Sequence, residues 1–197
     1  MIPLPTTPGG FRVIYADPAW DFNANSVAKP GRNARRHYDC MPLDDIAALP
    51  VADIAAPDAA LFMWITGPFF VAGAHAPIMR AWGFEPAAIG FVWAKLNKRT
   101  DGKFFTVDDF FMGGGLTTRA NTEFCLIGKK GRSLRKSASV RELIVSPVMR
   151  HSEKPQEAMA RIEDYADGPY LEMFSRRSRP GWHCWGDEAG KFDGAPA

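Results

Sequence analysis

The run Ala59-Ala60-Leu61-Phe62-Met63-Trp64-Ile65 holds seven consecutive residues without a charged or amide side chain. Successive side chains of a strand point to opposite faces, so such a run is expected to be a strand covered on both sides. That is the pattern of a largely parallel sheet between layers of helix. Gly67-Pro68 ends the run. An earlier one, Phe11-Arg12-Val13-Ile14-Tyr15-Ala16, is β-branched and aromatic and stops at Asp17-Pro18, where proline removes a backbone donor. Further strands are expected over residues 89–94, 123–128, 140–146, 170–174 and 182–185. Helices are expected over 43–49 and over 69–82, the latter from the near-helical spacing of Phe70, Ala74, Ile78 and Ala81 despite Pro77, with Gly83 as its stop. A last helix over 155–165 opens on Pro155 and carries the apolar stripe Ala158, Met159, Ile162, Tyr165, Ala166. Alternating strands and helices predict an α/β fold, a mostly parallel sheet with helices on both faces, and a ligand site beyond the carboxyl ends of the strands.

A length of 197 residues with 46% hydrophobic side chains predicts one folded domain over 1–197. The formal net charge of +2 does not mark a nucleic-acid binder by itself, so any basic surface must come from clusters. One lies in residues 23–38, which carry Lys29, Arg32, Arg35 and Arg36 among glycine and proline and read as a loop; another is the turn around 129–136. Three cysteines without paired spacing argue against a disulfide framework or a zinc module, and a reducing cytoplasm is the simpler expectation. The four histidines show no triad or metal spacing. No long apolar span appears, which predicts no membrane partner. Residues 98–119 form a long, partly apolar stretch of the kind that usually serves function.

Asp17-Pro18-Ala19-Trp20 follows the first strand directly. A carboxylate, a carbonyl and an indole at one strand end suit a flat ring bearing an amine: Asp17 and the Pro18 carbonyl accept its two protons while Trp20 stacks on its face. A nucleobase answers that description. An ordinary strand-to-loop turn with a packed tryptophan is the alternative reading of so short a motif.

Several segments together resemble the MT-A70-type adenine-N6 methyltransferases. They are Asp17-Pro18-Ala19-Trp20, Leu61-Phe62-Met63-Trp64-Ile65-Thr66, Gly83-Phe84 leading to Val92-Trp93-Ala94-Lys95, Thr118-Arg119-Ala120-Asn121-Thr122-Glu123, His151-Ser152-Glu153-Lys154-Pro155 and Leu171-Glu172-Met173-Phe174-Ser175-Arg176. Their order matches too, with the catalytic tetrapeptide ahead of the cofactor-binding strand. The resemblance implies a Rossmann-like methyltransferase fold with permuted motif order, S-adenosylmethionine as cofactor, no metal, and adenine rather than cytosine as target. Ala19 stands where the family usually has a second proline, which leaves the acceptor groups in place.

Asp17, Pro18 and Trp20 are thereby the expected catalytic residues. Lys154 resembles the family lysine that contacts the cofactor carboxylate. Phe174, Ser175 and Arg176 are expected to line the cofactor pocket along with Asp17, and Asp187 and Glu188 to contact the cofactor ribose. Lys95, Arg119, Asn121 and Glu123 are the expected substrate-side cluster, and Lys29, Arg32, Arg35 and Arg36 the phosphate contacts. The substrate expected is DNA, with RNA the close alternative. A non-catalytic nucleic-acid-binding subunit is the competing class. Without a separate recognition domain in view, target specificity must come from the loops, a homodimer or a partner subunit.

Overall fold

The computed structural model describes residues 2–21, 40–100, 103–114, 117–150 and 153–194. Its strands are β1 (Phe11–Ala16), β2 (Ala55–Ile65), β3 (Glu85–Leu96), β4 (Thr122–Lys130), β5 (Leu143–Pro147), β6 (Tyr170–Met173) and β7 (Trp182–Trp185). They form one seven-stranded sheet in the order β5-β3-β4-β2-β1-β6-β7. All neighbouring pairs are parallel except the two made by β4, which runs against β2 and β3. The expected mixed α/β architecture with a mostly parallel sheet is therefore observed.

The helices are α1 (Leu43–Ala47), α2 (Val51–Ile54), α3 (Gly67–Val71), α4 (His75–Ala81) and α5 (Gln156–Tyr165). On one face of the sheet Ile14, Leu61, Met63 and Ile65 pack with Ile46 of α1, Val51 of α2 and Ile78 and Met79 of α4. On the other, Val13, Tyr15, Phe62 and Trp64 pack with Ala158, Met159, Ile162 and Tyr165 of α5. The uninterrupted apolar run of β2 supplies both clusters by strict alternation, which is why it needs no polar position. Among the described residues no helix is long and apolar enough to cross a membrane.

The helix expected over 69–82 is two. Gly73, at φ 72°, donates to the Phe70 carbonyl and closes α3, and the chain restarts as α4. The restart explains Pro77: it falls in the first turn of α4, where a backbone N–H has no intrahelical acceptor to lose. Strands β2 and β3 begin earlier than their apolar stretches suggest, because Ala55 of β2 pairs with Phe11 of β1 and Glu85 of β3 pairs with Lys129 of β4. Among the described residues between β3 and β4 there is a 3-10 turn, Val107–Asp109, whose ends are tied by a reciprocal capping box with Thr106, and a single bridge from Phe110 to Leu96.

Candidate active site

Strand register gathers the site. Ala16, the last residue of β1, lies opposite Met63 on one side and Met173 on the other, so Asp17 and Phe174 emerge side by side at adjacent carboxyl ends. Beyond β2, Trp64 pairs with Cys125 and Trp93 with Glu123, which brings Glu123 and then Lys95 to the same end of the sheet. Tyr15, Trp64, Cys125 and Trp93 all belong to the cluster under α5. By the two-residue period of a strand, Asp17, Glu123 and Lys95 then share that face. Lys154, just ahead of α5, completes the group.

These four side chains form an alternating row of charge. Lys154 Nζ donates to Asp17 Oδ2 at 2.6 Å and lies 3.8 Å from Glu123 Oε2, which in turn stands 3.3 Å from Lys95 Nζ. The Lys154 side chain is only 8% exposed and Asp17 25%. Lys154 also sits 5.7 Å over the Trp64 ring, and Lys95 4.9 Å over Trp93. Burial pushes the Asp17 carboxyl above its ordinary value; the Lys154 charge opposes that rise and Glu123 adds to it.

A pocket opens beside this row at the ends of β1 and β6, walled by Asp17, Lys154, Glu172, Phe174, Arg176 and Phe192. Its floor is shaped by the turn after β6. Phe174 adopts φ 61°, a left-handed conformation that a non-glycine residue reaches only under constraint, and its ring meets Trp185 edge-on. The Ser175 N–H donates to the Trp185 carbonyl at 2.9 Å. Gly186 follows at φ 156°, and a Cβ there would stand 3.0 Å from the Phe174 Cα, so only glycine lets β7 press this closely on the turn.

The expected residues divide. Asp17, Lys154, Phe174 and Arg176 meet at the pocket, and Glu188 joins them through a 2.7 Å ion pair with Arg176. Lys95 and Glu123 lie together beside Asp17 and Lys154. Ser175 is 1% exposed and its hydroxyl donates to the Arg177 carbonyl, so this side chain braces the turn instead of lining the pocket. Asp187 is exposed and outside the pocket walls. Trp20 is 3% exposed: its Nε1 donates to the Trp64 carbonyl at 3.0 Å and its ring packs 5.5 Å from Phe69. The indole thus holds the turn to β2 and presents no open face to a base. The Pro18 carbonyl accepts the Trp20 N–H at 2.8 Å, which leaves its second lone pair for another donor. Arg119 and Asn121 precede β4 and do not share a strand face with Glu123; the Arg119 Nε donates to the Gly113 carbonyl at 2.6 Å and ties the loop. Lys29, Arg32, Arg35 and Arg36 lie outside the described residues.

Sequence reasoning passed over Glu172 and Arg179. Burial lifts the Glu172 carboxyl to about 7, against the pull of Arg179. A carboxylate within the otherwise apolar Leu171-Glu172-Met173 was the signal that could have marked it. Arg179 also lines the pocket, and its Nε is buried with no hydrogen-bond partner among the described residues. A buried donor left open beside carboxylates and aromatic rings suits a ligand that carries both charges and a flat heterocycle.

The MT-A70 family model matches residues 11–188. The type II methyltransferase M.MunI of Mycoplasma sp is 30% identical over 90% of this chain and 77% of its own length. The N6-methyladenosine RNA methyltransferase MTA1 of Cryphonectria parasitica is 29% identical over 92% of this chain and 52% of its own length. The human N(6)-adenine-specific methyltransferase METTL4 is 30% identical over 92% of this chain and 38% of its own length. The chain thus spans about half or less of these two eukaryotic relatives.

Proposed function

The chain belongs to the MT-A70 family, and from that premise we propose that it methylates the exocyclic N6 amine of adenine in DNA, with S-adenosylmethionine as the donor. The observation that carries this reading is the Asp17-Lys154 pair at the mouth of a pocket walled by Phe174 and Arg176. A pocket with carboxylates, cations and aromatic rings fits a zwitterionic amino acid joined to a nucleoside. Lys154 and Arg176 would hold its anionic and ribose ends, and the bound cofactor supplies a methyl group on a sulfonium.

The protein's part is to prepare the amine. Asp17 and the free lone pair of the Pro18 carbonyl accept the two amine protons, which turns the nitrogen out of conjugation with the ring and frees its lone pair. The same fixed acceptors stabilise positive charge as it develops on that nitrogen. Lys154 favours the ionised form of Asp17 by direct contact and brings positive charge to the pocket for the anionic end of the ligand. Glu123 and Lys95 continue the charged row toward the stretch between β3 and β4, where the base would enter. Trp20 acts through the backbone: its bond to the Trp64 carbonyl fixes the turn that aims both acceptors.

Transfer of labelled methyl from S-adenosylmethionine to matched DNA and RNA pools, with base analysis of the product, tests the reading. N6-methyladenine in DNA is expected, and product in RNA alone would move the substrate to RNA, the nucleic acid named for the Cryphonectria relative. Cofactor binding with transfer to neither would favour a non-catalytic subunit. Asp17→Ala is expected to abolish incorporation while changing cofactor affinity little, and activity surviving it would sink the mechanism.

A further inference from the structure

Residues 186–194, beyond β7, fold back along the segment that follows β6. The Phe192 N–H donates to the Arg176 carbonyl at 3.1 Å, and the Ser178 N–H donates to Asp193 Oδ1 at 2.7 Å. These bonds place the Phe192 ring on the pocket wall. The ring belongs to neither core cluster. Its neighbours are cations: the Arg176 guanidinium carbon lies 4.6 Å from the ring centroid and that of Arg150 5.0 Å away. The two arginines come from different parts of the fold, Arg150 from the segment leading into α5 and Arg176 from the turn after β6. Glu153, beside Lys154, pairs with Arg177 at 3.2 Å and makes a second tie between those segments.

We propose that Phe192 is a positioning residue for the cofactor: its aromatic ring holds the Arg176 guanidinium on the pocket wall, with the Arg150 guanidinium packed on the same ring, and so sets how tightly the donor binds. The proposal rests on the S-adenosylmethionine reading above. Its physical basis is the ring quadrupole, which attracts a cation to the face and orients a planar guanidinium. An aliphatic side chain of similar bulk fills the space without that attraction, whereas tyrosine and tryptophan keep it.

The test is calorimetric affinity for S-adenosylmethionine and S-adenosylhomocysteine in the wild type, Phe192→Leu, Phe192→Tyr and Phe192→Trp, with thermal melts to confirm folding. Phe192→Leu is expected to bind both ligands about 5- to 30-fold more weakly, and the two aromatic variants to stay within about twofold of wild type. The KM for S-adenosylmethionine should rise by the same factor in Phe192→Leu and stay within about twofold of wild type in the two aromatic variants. Unchanged affinity in Phe192→Leu, or equal weakening in all three variants, overturns the proposal. A wild type that binds neither ligand overturns the cofactor reading itself, and the positioning role with it.

Discussion

At the scale of single residues the site is governed by which charges are buried together. Burial raises the Asp17 carboxyl above its ordinary value and Lys154 opposes that rise, so the lysine charge bears directly on the pH at which the acceptor ionises. Lys154→Met removes the lowering influence, and the acid limb of the pH–rate profile, taken at saturating cofactor, is expected to move to higher pH. An unmoved limb would mean that Asp17 does not control it. Glu172 makes a complementary case in stability. Its carboxyl sits at about 7 in the folded protein against an ordinary 4.5, so folding favours the protonated form. Its contribution is fully present below about pH 4.5 and is lost as the pH rises to about 7. Above that range the buried charge costs on the order of 3 kcal/mol. Glu172→Gln is therefore expected to melt above the wild type at pH 8, with the gap closing as the pH falls to 4.5. A pH-independent difference would show that burial of charge is not the cause.

At the scale of elements, the site depends on how strand ends abut. The β6 turn and the start of the β7 return touch at Phe174 and Gly186, where an added Cβ has 3.0 Å of room to backbone on the far side. Gly186→Ala is expected to cost about 1–3 kcal/mol of stability and, by displacing the Phe174 turn, to weaken cofactor binding in titration; a variant with wild-type affinity would show that the turn absorbs the change. This close approach was not legible in the sequence, since a glycine after a strand reads only as a turn. Strand β2 was legible because one apolar run answers two packed faces. Asp17 and Lys154 were found through motif resemblance, but their direct 2.6 Å contact spans residues 137 apart in the chain and needs α5 packed on the face of the sheet that carries Tyr15 and Trp64. Trp20 shows the opposite error. An indole beside a catalytic turn suggested stacking on a base, whereas tertiary packing drew it into the core and onto the Trp64 carbonyl.

At the scale of the whole molecule, the two ends of the sheet carry different charge chemistry. The basic stretch at the end of β4 and beyond carries five cations within residues 129–136, and their number alone would nominate it for nucleic acid. Its position argues otherwise. Lys129 pairs with Ala60 near the amino-terminal half of β2, at the end opposite Asp17. Its neighbours are engaged locally: Arg132 with Asp58 at 2.9 Å, Lys136 with Asp167 at 2.6 Å, and Lys130 with the Ala52 and Ala55 carbonyls. Such pairs cancel the long-range field that attracts a polyanion, and a strand held there could not deliver a base to the far end of the sheet. Lys129→Glu with Arg135→Glu is thus expected to leave DNA affinity and its salt dependence unchanged. Replacing Arg32, Arg35 and Arg36 by alanine should weaken binding and flatten the salt slope by about 0.9 for each phosphate that is no longer neutralised. Filter binding from low to moderate salt reads both sets. A flattened slope in the first pair with none in the second would place the nucleic acid on the amino-terminal end of the sheet and separate it from Asp17.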